Sequence, residues 1–336
     1  MKSNLFYFFF LVFLFSFCKK ETEPKIYELN KIPIGFPTPS IPADNAFTKE
    51  RFELGKKLFY DPILSRDSTI SCGTCHQQSK AFSDGLAISE GIEKRLGIRN
   101  APGLFNLAYA PYYLREGGVP TLEMQVVVPI AEHAEMDFNI LKMVERMKKD
   151  SNYVKQSWAC YGREIDPFVI NRSIANFERT LFSGNSRYDQ YTFQNNKNAM
   201  NSEELKGLEL FNSDRTNCST CHSGFNFTNY KFENNGLYES YEDPGRYRLT
   251  LNEADRALFK IPSLRNVEKT APYMIDGSVA TLEEVIEHYN SGGKNHPHKS
   301  PLVRPLNLTS SEKASLVAFL KTLTDDEFLQ NPNFKK

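Results

Sequence analysis

Two pentapeptides constrain this chain more than any other feature: Cys72-Gly73-Thr74-Cys75-His76 and Cys218-Ser219-Thr220-Cys221-His222. A Cys-x-x-Cys pair followed at once by an imidazole is what covalent haem attachment needs. The sulfurs bond the macrocycle, and the adjacent histidine takes one axial position on the iron. A redox dithiol does not need the histidine, and a zinc site needs further ligands that converge on it. The reading is therefore two haem c groups, held by Cys72, Cys75 and His76 and by Cys218, Cys221 and His222. His76 and His222 are the proximal iron ligands.

The N-terminus reads as an export signal over residues 1–17. Lys2 supplies the positive start, and Leu5 to Phe17 is an almost unbroken apolar run, shorter than the roughly 20 residues of a membrane span. Cys18 follows, then Lys19 and Lys20. Leu14-Phe15-Ser16-Phe17-Cys18 resembles a lipoprotein processing site, although Phe17 stands where a small residue is usual. Lipidation of Cys18 is favoured over ordinary cleavage or an uncleaved anchor, and the expected location is the periplasm or cell envelope. Membrane attachment is expected only through that lipid. Lys plus Arg number 41 and Asp plus Glu number 41, a balance that argues against nucleic-acid binding. Cys160 is left over and reads as a buried core residue.

A length of 336 residues suggests two domains at ~100–200 residues each. Residues 18–45, rich in proline, read as an extended linker. Thr48 caps a helix through Tyr60. Further helical stretches are Leu141–Lys149, Pro167–Phe182, Ser202–Phe211, Leu282–Tyr289 and Ser310–Leu323. The fold class is mainly α, with long loops around each haem. The sequence also echoes itself. Glu53-Leu54-Gly55-Lys56-Lys57-Leu58-Phe59 precedes the first motif, and Glu204-Leu205-Lys206-Gly207-Leu208-Glu209-Leu210-Phe211 precedes the second. Each is a glycine-containing helix ending in Leu-Phe, then a loop, then Cys-x-Thr-Cys-His. We read this as an internal duplication giving two c-type cytochrome domains, 46–196 and 197–336, divided in the polar stretch Gln194–Asn201.

The chain resembles the bacterial di-haem cytochrome c peroxidases and their MauG-type relatives. The stretches that carry the likeness include Gly55 to Asp61, Ala81-Phe82-Ser83-Asp84-Gly85, Arg99-Asn100-Ala101-Pro102, Thr121-Leu122 to Gln125, Glu135-Met136, Lys260-Ile261-Pro262-Ser263-Leu264-Arg265-Asn266 and Thr270-Ala271-Pro272-Tyr273. The resemblance implies that the His76 haem meets hydrogen peroxide, with Glu135 as the catalytic carboxylate and Gln125 as its hydrogen-bonding neighbour. A carboxylate can carry a proton from the inner to the outer peroxide oxygen. Without the resemblance, Glu135 reads as a surface acid beside Glu132 and His133. No histidine lies between Gln77 and Asn100, so the first haem is expected to be open, with His133 the nearby residue that would contradict this.

By the same resemblance Tyr289 is the sixth ligand of the second haem, where peroxidases carry Met and MauG-type proteins carry Tyr. His288 and Met274 are the alternatives. A calcium ion held by Asn100 and by the carbonyls of Thr270 and Pro272 is implied as well. Two departures stand out. Arg115 occupies the position of the family's inter-haem Trp, leaving Tyr112 or Tyr113 as relay, or Arg115 as a haem-propionate partner. Ile275 stands where the family commonly has His. The implied function is peroxide reduction at the first haem, with electrons entering through the second from an exported cytochrome or other small donor. The rivals are MauG-like oxidation of a partner protein and plain electron transfer without catalysis. Family members often form homodimers, which this chain is free to do.

Overall fold

The computed structural model describes residues 31–336; the signal segment and Cys18 lie outside them. The described chain is helical with long irregular connections, and its one sheet pairs Phe232–Glu233 with Phe259–Lys260 antiparallel. Among the described residues no helix is long and apolar enough to cross a membrane.

Two helix pairs form the framework. Lys49–Tyr60 lies along Pro167–Arg179, and Ser202–Phe211 lies along Ser310–Lys321. The Thr48 hydroxyl accepts the Arg51 amide at 3.2 Å, which stops fraying of the first helix. In each pair a glycine lets the two backbones touch. A Cβ on Gly55 would collide with the Ser173 carbonyl, and one on Gly207 with the Ser315 carbonyl. Three phenylalanines then close each core. Phe59, Phe82 and Phe177 form one set and Phe211, Phe227 and Phe319 the other. Phe59 lies 5.0 Å from Phe177 and 6.0 Å from Phe82, and Phe211 lies 5.0 Å from Phe319 and 6.0 Å from Phe227.

The repetition continues outside the helix pairs. Asn106 and Asn266 both take φ 54° before a short 3-10 turn. Tyr113 bridges to Val119 as Tyr273 does to Val279. Thr121 and Thr281 cap the helical turns that follow. The two halves therefore repeat one packing scheme in one order.

Side-chain contacts cross the boundary expected at Gln194–Asn201. The helix Arg187–Phe193 belongs to the second half: Tyr188 packs on Phe227 at 4.9 Å, and Asp189 pairs with Arg265 at 2.8 Å, both side chains fully buried. In return the C-terminal segment crosses into the first core, where Phe328 and Phe334 are buried and Phe328 lies 5.7 Å from Phe82. Each half thus lends the other its last segment. The residues expected as a linker also differ: from Pro33 onward they have no helix or strand but are docked. Phe36 lies 4.6 Å from Phe225 and 6.0 Å from Tyr109, and Asn45 is fully buried, donating to Glu123 Oε1 at 2.7 Å. Apolar contact with both halves outweighs the extended preference of the prolines.

Candidate active site

Each Cys-x-x-Cys segment is a single helical turn, Cys72–Cys75 and Cys218–Cys221, with its histidine at the C-terminal end. The histidine rings are fixed alike. His76 Nδ1 contacts the Phe82 carbonyl at 2.6 Å, and His222 Nδ1 contacts the carbonyls of Phe227 and Pro262, each at 3.1 Å. A carbonyl only accepts, so Nδ1 carries the proton and Nε2 keeps its lone pair. Burial lowers the pKa of both histidines, which keeps them neutral and ready to bind iron. Beside His222 opens a cavity of about 420 Å³, lined by Cys218, Cys221, Tyr289 and Met274 and reaching Gln125 and Arg115 of the first half. Its donor set of two thiols and one neutral imidazole, with an apolar wall, fits a haem c.

Tyr289 lines this cavity, and its hydroxyl feels Cys218 and Cys221; burial pushes it up to about 12. Asn235 separates the three candidate ligands. It hydrogen-bonds the Tyr289 side chain and donates to Met274 Sδ at 3.3 Å, whereas its carbonyl contacts His288 Nε2 at 3.0 Å. His288 is committed outside the cavity wall, while Tyr289 and Met274 are both part of it.

Around His76, Glu135 is held by its backbone: its carbonyl accepts from Ile92 at 2.9 Å. Its side chain is reachable by solvent, yet protein crowds it. Burial, with a smaller push from Glu132, brings it up to about 7. It is near enough to Cys72 and Cys75 that its charge adds to the burial raising both thiols. Gln125 is half-buried on the inter-half cavity. His133 points away: its side chain is 72% exposed, and its Nδ1 meets Arg95 at 3.0 Å and Asp137 at 3.4 Å. Trp158 is 52% exposed on the Ser151–Tyr161 helix, whereas Tyr113 lines the cavity and Tyr112 stacks on Phe232 at 5.2 Å. Cys160 is only partly buried, packed at the edge of the first core.

Against this geometry stand the known proteins. A family model described as di-haem cytochrome c peroxidase matches residues 49–198. The methylamine utilization protein MauG of Methylorubrum extorquens is 35% identical over 286 residues, spanning 84% of this chain and 80% of that protein. The chain belongs to the di-haem cytochrome c peroxidase family. It is thus an enzyme of a haem c family. The cytochrome c551 peroxidase of Nitrosomonas europaea is also 35% identical, over 306 residues, spanning 89% of this chain and 85% of that one. A solved MauG-like protein associated with microbial copper homeostasis matches with a TM-score of 0.84 and 34% identity, covering 91% of this chain and 98% of its own.

At the calcium position expected from the resemblance, Arg115 Nη2 donates to the Asn100 carbonyl at 3.0 Å and reaches Asn100 Oδ1 at 3.3 Å. Lys260 adds a second cation, half-buried, donating to the Tyr112 carbonyl at 3.1 Å. Desolvation lowers Arg115 to about 10 and Lys260 to about 8, each cation also pressed by a neighbouring one.

Sequence reasoning passed over two groups near the site. Lys260 opens a quoted motif and carries the only charge in its first three residues, which was signal enough. Glu178 sits in a run of consecutively buried helix positions, with Oε2 buried and unpartnered; burial pushes it up to about 8, and its charge is felt at Cys72. A charged pair, Glu178-Arg179, inside a buried run was the clue.

Proposed function

We propose that this protein reduces hydrogen peroxide to water at its first half, using electrons that enter through its second half from an exported cytochrome or similar small donor. The observation that carries the reading is Glu135: a solvent-reachable carboxyl beside Cys72 and Cys75, pushed up to about 7, with His133 turned away. Haem c, when bound by Cys72, Cys75 and His76 and by Cys218, Cys221 and His222, supplies the iron and the electron path. The Glu135 carboxylate takes a proton from one peroxide oxygen and returns it to the other, and Gln125 orients the oxidant by hydrogen bonding. Two electrons and two protons per peroxide then give two waters. A group near 7 holds either protonation state at working pH, which suits that shuttle. Tyr289 is the proposed sixth ligand in the second half, and internal duplication accounts for the repeated packing. The apolar N-terminal run supports action in the periplasm or cell envelope.

A second reading, oxidation of side chains on a partner protein, is favoured by Tyr289 on the cavity wall and by the relatives named MauG. It is weakened by Arg115 in place of the inter-haem Trp.

The test is electron paramagnetic resonance of the ferric holoprotein before and after one equivalent of hydrogen peroxide, with turnover against a reduced small cytochrome. One high-spin and one low-spin haem, with the high-spin signal alone lost, support peroxide reduction. Loss of both signals supports the second reading. Two low-spin haems untouched by peroxide overturn catalysis by the resting protein. Glu135 works as a base, so turnover should rise with pH through about 7. Glu135→Gln should remove that limb and lower kcat/KM by about 10²–10⁴-fold. An unchanged pH profile in the variant refutes the assignment.

A further inference from the structure

We infer that the Arg115 guanidinium replaces the divalent cation at the junction of the two halves, so that this protein holds its haem sites together without calcium. The junction is built from reciprocal backbone bonds. Asn100 N–H donates to the Ile275 carbonyl at 2.8 Å, and Lys260 N–H donates to the Arg115 carbonyl at 2.7 Å. Asn100 and Arg115, both of the first half, are thus each tied by backbone to the second half at this junction. A cation is expected there to gather neutral oxygens. Arg115 already does so, with one Nη2 on both the carbonyl and the side-chain oxygen of Asn100.

Charge argues the same way. Arg115 Nε is buried with no partner, and Lys260 meets the carbonyl and the ring of Tyr112. Glu116 and Asp243 both pair with Arg99, and Glu233 lines the cavity together with Arg115, Lys260 and Arg304. The excess charge in this pocket is positive. The remaining oxygens expected for calcium, on Thr270 and Pro272, line the same cavity and are backbone carbonyls without charge to offset two more positive charges. A planar donor with a free Nε edge suits a carboxylate, such as a haem propionate, and repels a metal ion.

The experiment uses the full-length holoprotein and is independent of which substrate it takes. Calcium is counted by elemental analysis after equilibration in calcium-containing buffer and gel filtration. Spin-state spectra and both haem potentials are then recorded with and without a strong chelator. The expected result is far less than one calcium per chain, with spectra and potentials indifferent to the chelator. Arg115→Gln removes the charge and frees the oxygens; it should bind calcium at least tenfold more tightly and acquire a chelator response. One calcium retained per wild-type chain, with spectra that change on its removal, overturns the inference. So does an Arg115→Gln variant that folds, carries both haems and still ignores calcium. If that variant does not fold, the wild-type count alone decides.

Discussion

Asp189→Asn is the substitution that most directly probes how the second half is held together. Arg265 donates to Asp189 through Nη1 and Nη2, each at 2.8 Å, and through Nε to the Phe225 carbonyl at 2.8 Å. Both side chains are fully excluded from solvent. Asp189 Oδ2 also accepts the Ser186 amide at 2.9 Å and hydroxyl at 2.7 Å, closing the cap of its helix. The amide keeps the shape but removes the charge and turns a donor toward a guanidinium. Breaking one side of such a pair costs about 3–5 kcal/mol, a large share of the ~5–15 kcal/mol that holds a typical protein folded. The assay is denaturant unfolding of the haem-loaded protein, followed by far-ultraviolet circular dichroism. A second variant, Asp189→Leu with Arg265→Met, removes both charges and should recover at least half of the loss. There is a functional readout too. Arg265 anchors Phe225, and two residues on the Phe227 carbonyl fixes the His222 ring, so the potential of the second haem should shift more than that of the first. A single variant within ~1 kcal/mol of the parent, or a double variant no better than the single, would refute the reasoning.

The glycine contacts give a matched pair. Gly55→Ala and Gly207→Ala should each destabilise by about 1–3 kcal/mol or more, because the new methyl meets a rigid backbone carbonyl. Thermal melts of the two should fall by similar amounts if the halves truly share one packing scheme; a silent substitution in either would break the equivalence. At the second haem, Tyr289→Phe should change the spin state and potential, whereas His288→Ala should leave the ligand signature intact, as its ring is bonded to the Asn235 carbonyl. Optical and magnetic spectra of the two variants check this, and a ligand change in His288→Ala alone would reverse the assignment.

What the sequence disclosed, and what it hid, follows the range of the interactions. Helix starts are local, and those expected at Pro167, Ser202, Leu282 and Ser310 are where helices begin. Capping and i, i+4 apolar spacing need only a few neighbouring residues. Ser151–Tyr161 escaped because its apolar face is short, with Trp158 and Lys155 directed outward and only Tyr153 and Ser157 buried. The haem motifs were readable for the same local reason. The contacts that cross between the halves were not. Arg187–Phe193 crosses one way and Phe328–Phe334 the other, held by contacts with residues far along the chain, and nothing near Gln194 or Asp326 encodes the partner.

The carboxyl proposed as catalytic shows the same limit more sharply. Glu135 differs from Glu132 in nothing that composition or periodicity records; both are acids in one short charged run. Its distinction is environmental: burial, with a smaller push from Glu132, lifts it to about 7. Arg115 is the converse case. Its departure from the family pattern was visible in the sequence, but its consequence needed the coordinates, because only there do both Asn100 oxygens converge on one guanidinium nitrogen. A motif reveals which groups a chain carries; a role that depends on desolvation or on a shared oxygen is a property of the space between segments. That space is concentrated where the two halves meet, with Asn100, Arg115, Lys260 and Ile275 tied by reciprocal bonds, so this junction is where this chain has most freedom to depart from its relatives while keeping their fold.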